Sequence, residues 1–459
     1  MFDFLGIISN ILSELYFIGG FLLSLWWIWL PWILFVLAKD IWIRYRRNKF
    51  VQELEWVLLE VKPPQNIEKT PYAMEQLFAG LHGVHSDPNK KEQLYDGIFQ
   101  RYFSFEMISQ GGKIHFLVRT VKFFRDLVES QIYAQYPEAE ITQVDDYVNL
   151  VPDDIPNEEY NLWGTEFILT NPDAYPIRTY LEFDKDAKTD EQRIDSLSSL
   201  LEIMSKLKNR EQIWIQTLIR PVDDTWKKEG EKLKDQLLGR KEEKKEGLII
   251  KEIVGWKDAI KAVTHQIITG DILEGGEENK KNETETPFLW KSSKGEQEII
   301  TAIEGNISKI GYETIIRFVY FAPRDVFTMA NVSGVVGSFK QFNTQDLNGF
   351  KPNNKISPSA PDYHWQFKDT RASYRRKRVF KDYQKRYFVQ YSDVISYLNK
   401  LSFEKLPILN WFFIRSKPFV FNIEELATIY HYPTLPVKVP LVPKVDSRKS
   451  EPPMGLPIQ

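Results

Sequence analysis

The sequence predicts an α+β protein: an N-terminal transmembrane helix, then a ferredoxin-like β-α-β-β-α-β domain, then a second α+β domain. Three observations carry that expectation. Phe17 to Ala38, FIGGFLLSLWWIWLPWILFVLA, runs 22 residues without a charge. At about 1.5 Å per residue this is enough to cross a hydrocarbon core of roughly 30 Å. Over residues 51–150 the apolar periodicity alternates in the order strand, helix, strand, strand, helix, strand, the split βαβ arrangement. A further set of apolar strands and amphipathic helices follows residue 160.

Pro31 is compatible with a membrane helix, where neighbours or water satisfy the freed carbonyl. Trp26, Trp27, Trp29 and Trp32 crowd the segment, and Trp42 stands just beyond it at an interfacial depth. The leader carries Asp3 and Glu14 and no Lys or Arg, unlike a cleaved signal peptide. Its Phe, Leu and Ile recur at helical spacing, as in a helix lying on the outer surface or an extension of the span. Lys39, Arg44, Arg46, Arg47 and Lys49 all follow the apolar run. The positive-inside rule therefore places a single-pass protein in the cell inner (cytoplasmic) membrane, its N-terminus outside and its body in the cytoplasm.

In the body, LEWVLLEV (54–61) reads as a buried strand ended by Pro63 and Pro64. TPYAMEQLFAGLHG is a helix with Thr70 as cap, Pro71 at the first helical position and Gly83 near the stop. RYFSFEMIS and KIHFLVRTV flank Gly111-Gly112 as a hairpin. VKFFRDLVESQIYAQYP is amphipathic and EAEITQVDDY is a strand. In the second domain TEFILT, IRTYLEF, EQIWIQTLIRP and ETIIRFVYFAP read as strands. Residues 194–207, GEQEIITAIEGNISKI and RDVFTMANVSGVVGSFKQF read as helices. Residues 226–246 are a solvated helix of mixed charge, and the polar stretch at about 270–287 is a mobile insertion. The expected domains are thus 1–50, 51–150, 151–345, a basic and aromatic segment 346–420, and 421–459.

A composition of 43% hydrophobic and 27% charged residues is that of a globular protein, and the formal charge of −3 makes the whole molecule no polyanion binder. There is no cysteine, which excludes disulfides, thiolate metal sites and cysteine nucleophiles. No P-loop, nucleophile elbow, HExxH, EF-hand loop or dinucleotide fingerprint is present. His82 and His85 stand three apart with Asp87 nearby, but Gly83 interrupts the helix between them and no further nitrogen ligand is specified. His115 reads as a packed or paired core histidine. No catalytic, cofactor or metal residue is assigned.

One segment concentrates charge. Arg371 to Phe388 holds eight Lys or Arg against Asp382, with aromatic residues interleaved. Arg371, Arg375, Arg376, Lys377, Arg378, Lys385 and Arg386 are candidate contacts to nucleic acid, where cations meet phosphates and rings stack on bases, or to anionic lipid. A protein partner, or a basic helix whose aromatic residues enter the core, fits the same pattern.

The chain then reaches FNIEELATIYHYP, Phe421 to Pro433: a strand end, Asn422 as helix cap, Glu425 three residues on as in a capping box, and a proline stop. A proline-rich tail follows. EELATIYHYP resembles the signature that precedes the motor in membrane-associated DNA-translocating ATPases of the type IV secretion, conjugative and HerA class. Glu424, Glu425, Leu426, Ala427, His431 and Pro433 match it, with Tyr432 where Phe or Leu is usual. EWVLLEVKPP, TPYAMEQLFAGLHG, SFEMISQGGKIHFLVRT and EQIWIQTLI are similar to an uncharacterised family of single-span membrane proteins from candidate-phylum bacteria. The resemblance implies a non-catalytic, membrane-anchored component of a type IV secretion-like or DNA-translocation system. Its partners would be a separately encoded P-loop ATPase or other secretion subunits, docked through those six residues, with a homo-oligomer left open; the reading in which this helix simply packs on the second domain stands beside it. The alternative is a membrane-tethered nucleic-acid-binding protein.

Overall fold

The computed structural model describes residues 24, 26–64, 67, 69–184, 195–238, 293–358, 368–388 and 417–433. The leader, the insertion at about 270–287 and the proline-rich tail lie outside them. Helix α1 (Trp26–Glu53) carries the C-terminal part of the apolar run straight into the basic collar. Among the described residues no helix is long and apolar enough to cross a membrane. Residues 17–23 and 25 of the expected span are outside that set.

β1 (Trp56–Lys62), α2 (Tyr72–Leu81), β2 (Phe103–Gln110), β3 (Lys113–Val121), α3 (Arg125–Gln135) and β4 (Glu140–Val144) follow in the expected order. Gly111 and Gly112 close the β2–β3 hairpin with φ of 58° and 89°, a left-handed pair that only glycine adopts without cost. Thr70 does not cap α2. Pro71 precedes the helix without a side-chain hydrogen bond, and the Thr70 carbonyl instead accepts from Ala73 N at 3.1 Å.

The rest of the chain repeats this pattern and is not a separate domain, which corrects the expected boundary near residue 150. β5 (Tyr160–Leu169), the short helix α4 (Tyr180–Asp184), α5 (Ser198–Ser205), β6 (Gln212–Pro221), β7 (Gly311–Pro323), α8 (Met329–Lys340) and β8 (Phe350–Pro352) follow, and their four strands join the same antiparallel sheet. The strand order is β4-β1-β3-β2-β6-β7-β5-β8. The first half reads 4-1-3-2 and the second is its mirror order, 2-3-1-4, with the two halves fused where β2 pairs β6 from Phe103↔Ile219 to Gln110↔Gln212. IRTYLEF is not a strand. Two of its backbone donors are taken by side chains further along the chain, Ile177 N by Glu425 Oε1 and Tyr180 N by Thr428 Oγ, both at 3.0 Å, and Arg178 N donates to the Phe342 carbonyl at 2.9 Å.

Alternation sends Phe105, Phe116, Ile215, Ile316 and Phe318 to one face, where α2, α3, α5 and α8 cover them in one continuous core. The other face presents Leu58, Ile108, Trp214, Val319 and Phe321 to helix α9 (Lys368–Gln384) through Val379, Phe380 and Tyr383. β9 (Phe419–Asn422) pairs antiparallel with the start of β7, from Gly311↔Asn422 to Thr314↔Phe419, and α10 (Ile423–Ile429) packs against α2 and α4. Between β6 and β7, at the position of the first repeat's glycine hairpin, the chain inserts residues 224–309, a separate compact unit. Within it α6 (Thr225–Leu237) and α7 (Lys294–Ile307) pack together, with Lys234 Nζ 3.3 Å from Glu304 Oε1.

α1 is clamped to the sheet body. Trp42 Nε1 donates to the Leu94 carbonyl at 2.9 Å, Arg46 Nε donates to the Tyr95 carbonyl, and Phe50 meets Phe99 edge-on. Gly97 makes this possible: its φ is +71°, and a Cβ there would fall 2.4 Å from the Arg46 carbonyl carbon. Gly97→Ala therefore strains the backbone, at a cost of order 1–3 kcal/mol, and lifts the helix. In detergent we expect trypsin to cut the variant several-fold faster within residues 44–49; an unchanged rate contradicts the clamp.

Candidate functional site

The sheet carries a polar row through its middle. Glu60, Leu117, Glu106, Gln216, Arg317 and Glu166 are successive cross-strand partners on β1, β3, β2, β6, β7 and β5. Glu60 and Glu166 occupy equivalent positions in the two repeats, as do Glu106 and Gln216 at their junction. All point to the face that α9 covers. A buried carboxylate requires a cation and hydrogen-bond donors, and both are present. Arg386 grips Glu106 bidentately at 2.7 and 3.0 Å and Asp146 bidentately at 2.6 and 2.9 Å. Tyr147 Oη donates to Glu106 at 2.7 Å, and Gln216 Nε2 donates to it at 3.1 Å. Arg317 pairs with Glu166 at 2.7 Å and holds the carbonyls of Asp382 and Tyr387. Burial on its own raises the Glu106 carboxyl. The Arg386 charge and its hydrogen bonds, with those of Ser104 and Tyr147, outweigh burial and hold it below the usual carboxylate range. Asp146 is likewise held low: burial raises it, and Arg386 reverses the sign.

This network decides the fate of the basic segment. Arg386, at φ 47° and 1% exposed, is interior and cannot meet an external polyanion, which corrects its place among the candidate contacts. Phe380, Tyr383 and Phe388 are buried with Val379 and belong to the core, which removes them from any base-stacking platform; Tyr387 is half-buried and Tyr374 is exposed. Lys377 and Lys385 are exposed, and with Lys381 they form an outward stripe at four-residue spacing. Arg371, Arg375, Arg376 and Arg378 are half-buried. Arg375 donates to the Ser357 carbonyl at 3.3 Å, and Arg378 lies 3.8 Å from Asp382.

The closing motif is also interior. The capping box is present, with Glu425 N bonded to Asn422 Oδ1 at 2.8 Å and Asn422 N to Glu425 Oε2 at 3.0 Å. Glu424, Glu425, Leu426, Ala427, His431 and Pro433 are all buried, and this overturns their expected role as an exposed docking end. The second Glu425 oxygen serves Ile177 N. Both ring nitrogens of His431 face acceptors, Nδ1 at 2.8 Å from the Ala427 carbonyl and Nε2 at 3.1 Å from Asp195 Oδ1. Tyr430 packs on Phe105 and Phe116, and Tyr432 on Phe116 and Tyr136. The motif therefore ties the helix layer of the second repeat to strands and helices of the first.

The histidines singled out by spacing have structural partners. His82 Nε2 lies 3.1 Å from the Val222 carbonyl and its ring stacks on His85, while His115 pairs with Glu60. Among the described residues no cluster of His, Asp and Glu could hold a metal ion. One concavity was not foreseen, a cleft of about 580 Å³ lined by Pro156, Asn157, Glu158, Arg324, Ser373 and Arg376. Arg324 was missed because it follows β7, far in sequence from the basic run.

Fold and site together define an α+β protein built on one antiparallel sheet, with its central charges engaged internally. Residues 45–398 match the family model described as Domain of unknown function (DUF8128), and the chain belongs to that family. No match was found among curated proteins.

The network has a pH signature. Glu106 and Asp146 titrate below their ordinary values of 4.5 and 3.8 in the fold, so their stabilisation is full above those values and is lost as pH falls through the folded ones. Asp146→Asn removes one of the two groups. In denaturant titrations it should lower stability at neutral pH by about 1.5–3 kcal/mol, the worth of hydrogen bonds to a charged group, and lose less on acidification than the parent. Equal acid sensitivity would contradict the assignment.

Proposed function

We propose that the protein is a non-catalytic, membrane-anchored component of a type IV secretion-like or DNA-translocation system that works with a separately encoded ATPase. The observation that carries the membrane part is the surface of α1. Trp26, Trp27, Trp32, Ile33, Leu34, Phe35, Leu37 and Ile41 are exposed on a helix that has no apolar partner along that stretch among the described residues. Such a surface is stable against lipid and costly in water. Lys39, Arg44 and Lys49 are exposed at the end of this stretch and beyond it, where they suit anionic headgroups on the cytoplasmic side of an inner membrane, while Arg46 is committed to the Tyr95 carbonyl. The clamp at Trp42, Arg46 and Phe50 then couples the anchor stiffly to the sheet body.

Support for an assembling role comes from the central charges, which are paired inside the protein, Arg386 with Glu106 and Asp146 and Arg317 with Glu166. The duplicated β-α-β-β-α-β connectivity supports reading the body as two ferredoxin-like repeats, a rigid platform for other subunits. With the 424–433 motif interior, contact with a motor or a second copy falls to the solvent-facing elements, among which the outer face of α9 carries concentrated charge. Fractionation tests the anchor. The full chain should stay in the membrane pellet after alkaline carbonate extraction, and deletion of residues 1–38 should release it; release of the full chain by salt alone overturns the reading.

The exposed stripe Lys377, Lys381 and Lys385 favours a second reading, a membrane-tethered nucleic-acid-binding protein. In filter binding at low salt the chain should retain nucleic acid, lose it steeply as salt rises, and lose it in the triple Lys→Glu variant. Absence of binding at low salt removes this reading.

A further inference from the structure

We propose that the cleft between Arg324 and Arg376 is a binding site for a phosphoryl group. The two guanidinium groups come from different elements, one just beyond the end of β7 and one from the middle of α9, and both line the same concavity. Like charges are not gathered in a cleft without a cost. Burial, and after it the Arg324 charge, pushes the Arg376 guanidinium below its ordinary value, and Asp369 offsets this only in part. Arg376 is also poorly satisfied by the protein. Among the described residues its Nε makes no hydrogen bond, and Nη1 reaches Asn161 Oδ1 only at 3.4 Å. Arg324 is held in place by the Asn157 carbonyl, which accepts from Nε at 3.1 Å and from Nη2 at 2.8 Å.

The neighbouring groups suit an oxyanion. Ser373 stands three residues before Arg376 on α9, hence on the same side of the helix, and offers a hydroxyl donor. Asn157 lines the facing wall, and its Nδ2 donates one hydrogen to Asp154 Oδ1 at 3.3 Å, which leaves the other for a ligand. Glu158 is the one carboxylate of the lining and sets the charge of the cleft at about +1. A tetrahedral phosphoryl group carries close to two negative charges and enough oxygens to accept forked hydrogen bonds from two guanidinium groups at once. A single carboxylate can accept as many hydrogen bonds but carries only one negative charge against the two guanidinium groups. The site stands independently of the translocation and nucleic-acid readings.

Inorganic phosphate is the probe. Thermal unfolding of the full chain in detergent should shift upward with millimolar phosphate relative to chloride at equal ionic strength, as binding to the folded state requires. Arg376→Met and Arg324→Met should each abolish the shift while leaving the melting temperature in chloride unchanged or higher, because one like charge is relieved. Arg378→Met, beside Asp382, is the control and should keep the shift. No shift in the parent, a shift equal to that of chloride, or one that survives in Arg376→Met overturns the proposal. Vesicles containing phosphatidate separate the sources. Flotation that inorganic phosphate competes away assigns a lipid headgroup, and a phosphate shift without flotation assigns a soluble ligand. Flotation that Arg376→Met leaves intact, with no phosphate shift, belongs to the apolar flank of α1 or to the lysine stripe and also overturns the site.

Discussion

A carboxylate at the centre of a sheet, covered on its open face, needs a cation that water cannot supply. Glu106 receives it from Arg386, 280 residues further along the chain. That requirement organises much of the protein. Arg386 can reach Glu106 only if α9 lies across the sheet, and α9 can lie there only if the two repeats form one surface. The row through Gln216 and Arg317 to Glu166 extends the same pattern across the junction. Removing one partner from such a buried pair costs about 3–5 kcal/mol, a large share of the marginal stability of a folded domain. The network therefore specifies where the helix sits more than it adds to net stability.

On the opposite face the closing motif has a comparable role. α10 lends Glu425 and Thr428 to backbone donors of residues 177–180, and His431 reaches Asp195, so polar side chains of the last described segment complete a region that has no sheet neighbours of its own. A segment whose polar atoms are committed in this way is a structural closure. The proposed partner contacts must then be surface features: the exposed apolar flank of α1, the lysine stripe of α9 and the arginine cleft.

Much of the first repeat was legible in the sequence. Period-two alternation, the Gly111-Gly112 turn and two amphipathic helices are local signals, and they specify β1 to β4 in order. The second repeat was harder to recognise because its equivalent hairpin is opened by residues 224–309, which separates β6 from β7 by 89 positions. The fusion of the repeats through β2 and β6 left no local mark, since an edge strand and a central strand both read as alternating apolar residues. IRTYLEF misled for a related reason: its apolar spacing suits a strand, but its hydrogen-bond partners lie some 250 residues away. Arg386, Glu425 and His431 are charged or polar types usually found at surfaces, and only the partners they meet in three dimensions reveal them as interior. Arg324 gave no signal because its significance depends on Arg376.

The fused sheet is tested most directly by native-state hydrogen exchange of the full chain, read segment by segment as denaturant is raised. If β2 and β6 are central strands of one sheet held by a shared charge network, amides of residues 103–110 and 212–221 should converge on a single opening free energy and exchange together. Exchange of residues 56–144 as one unit, while residues 160–221 and 311–352 remain protected, would contradict it.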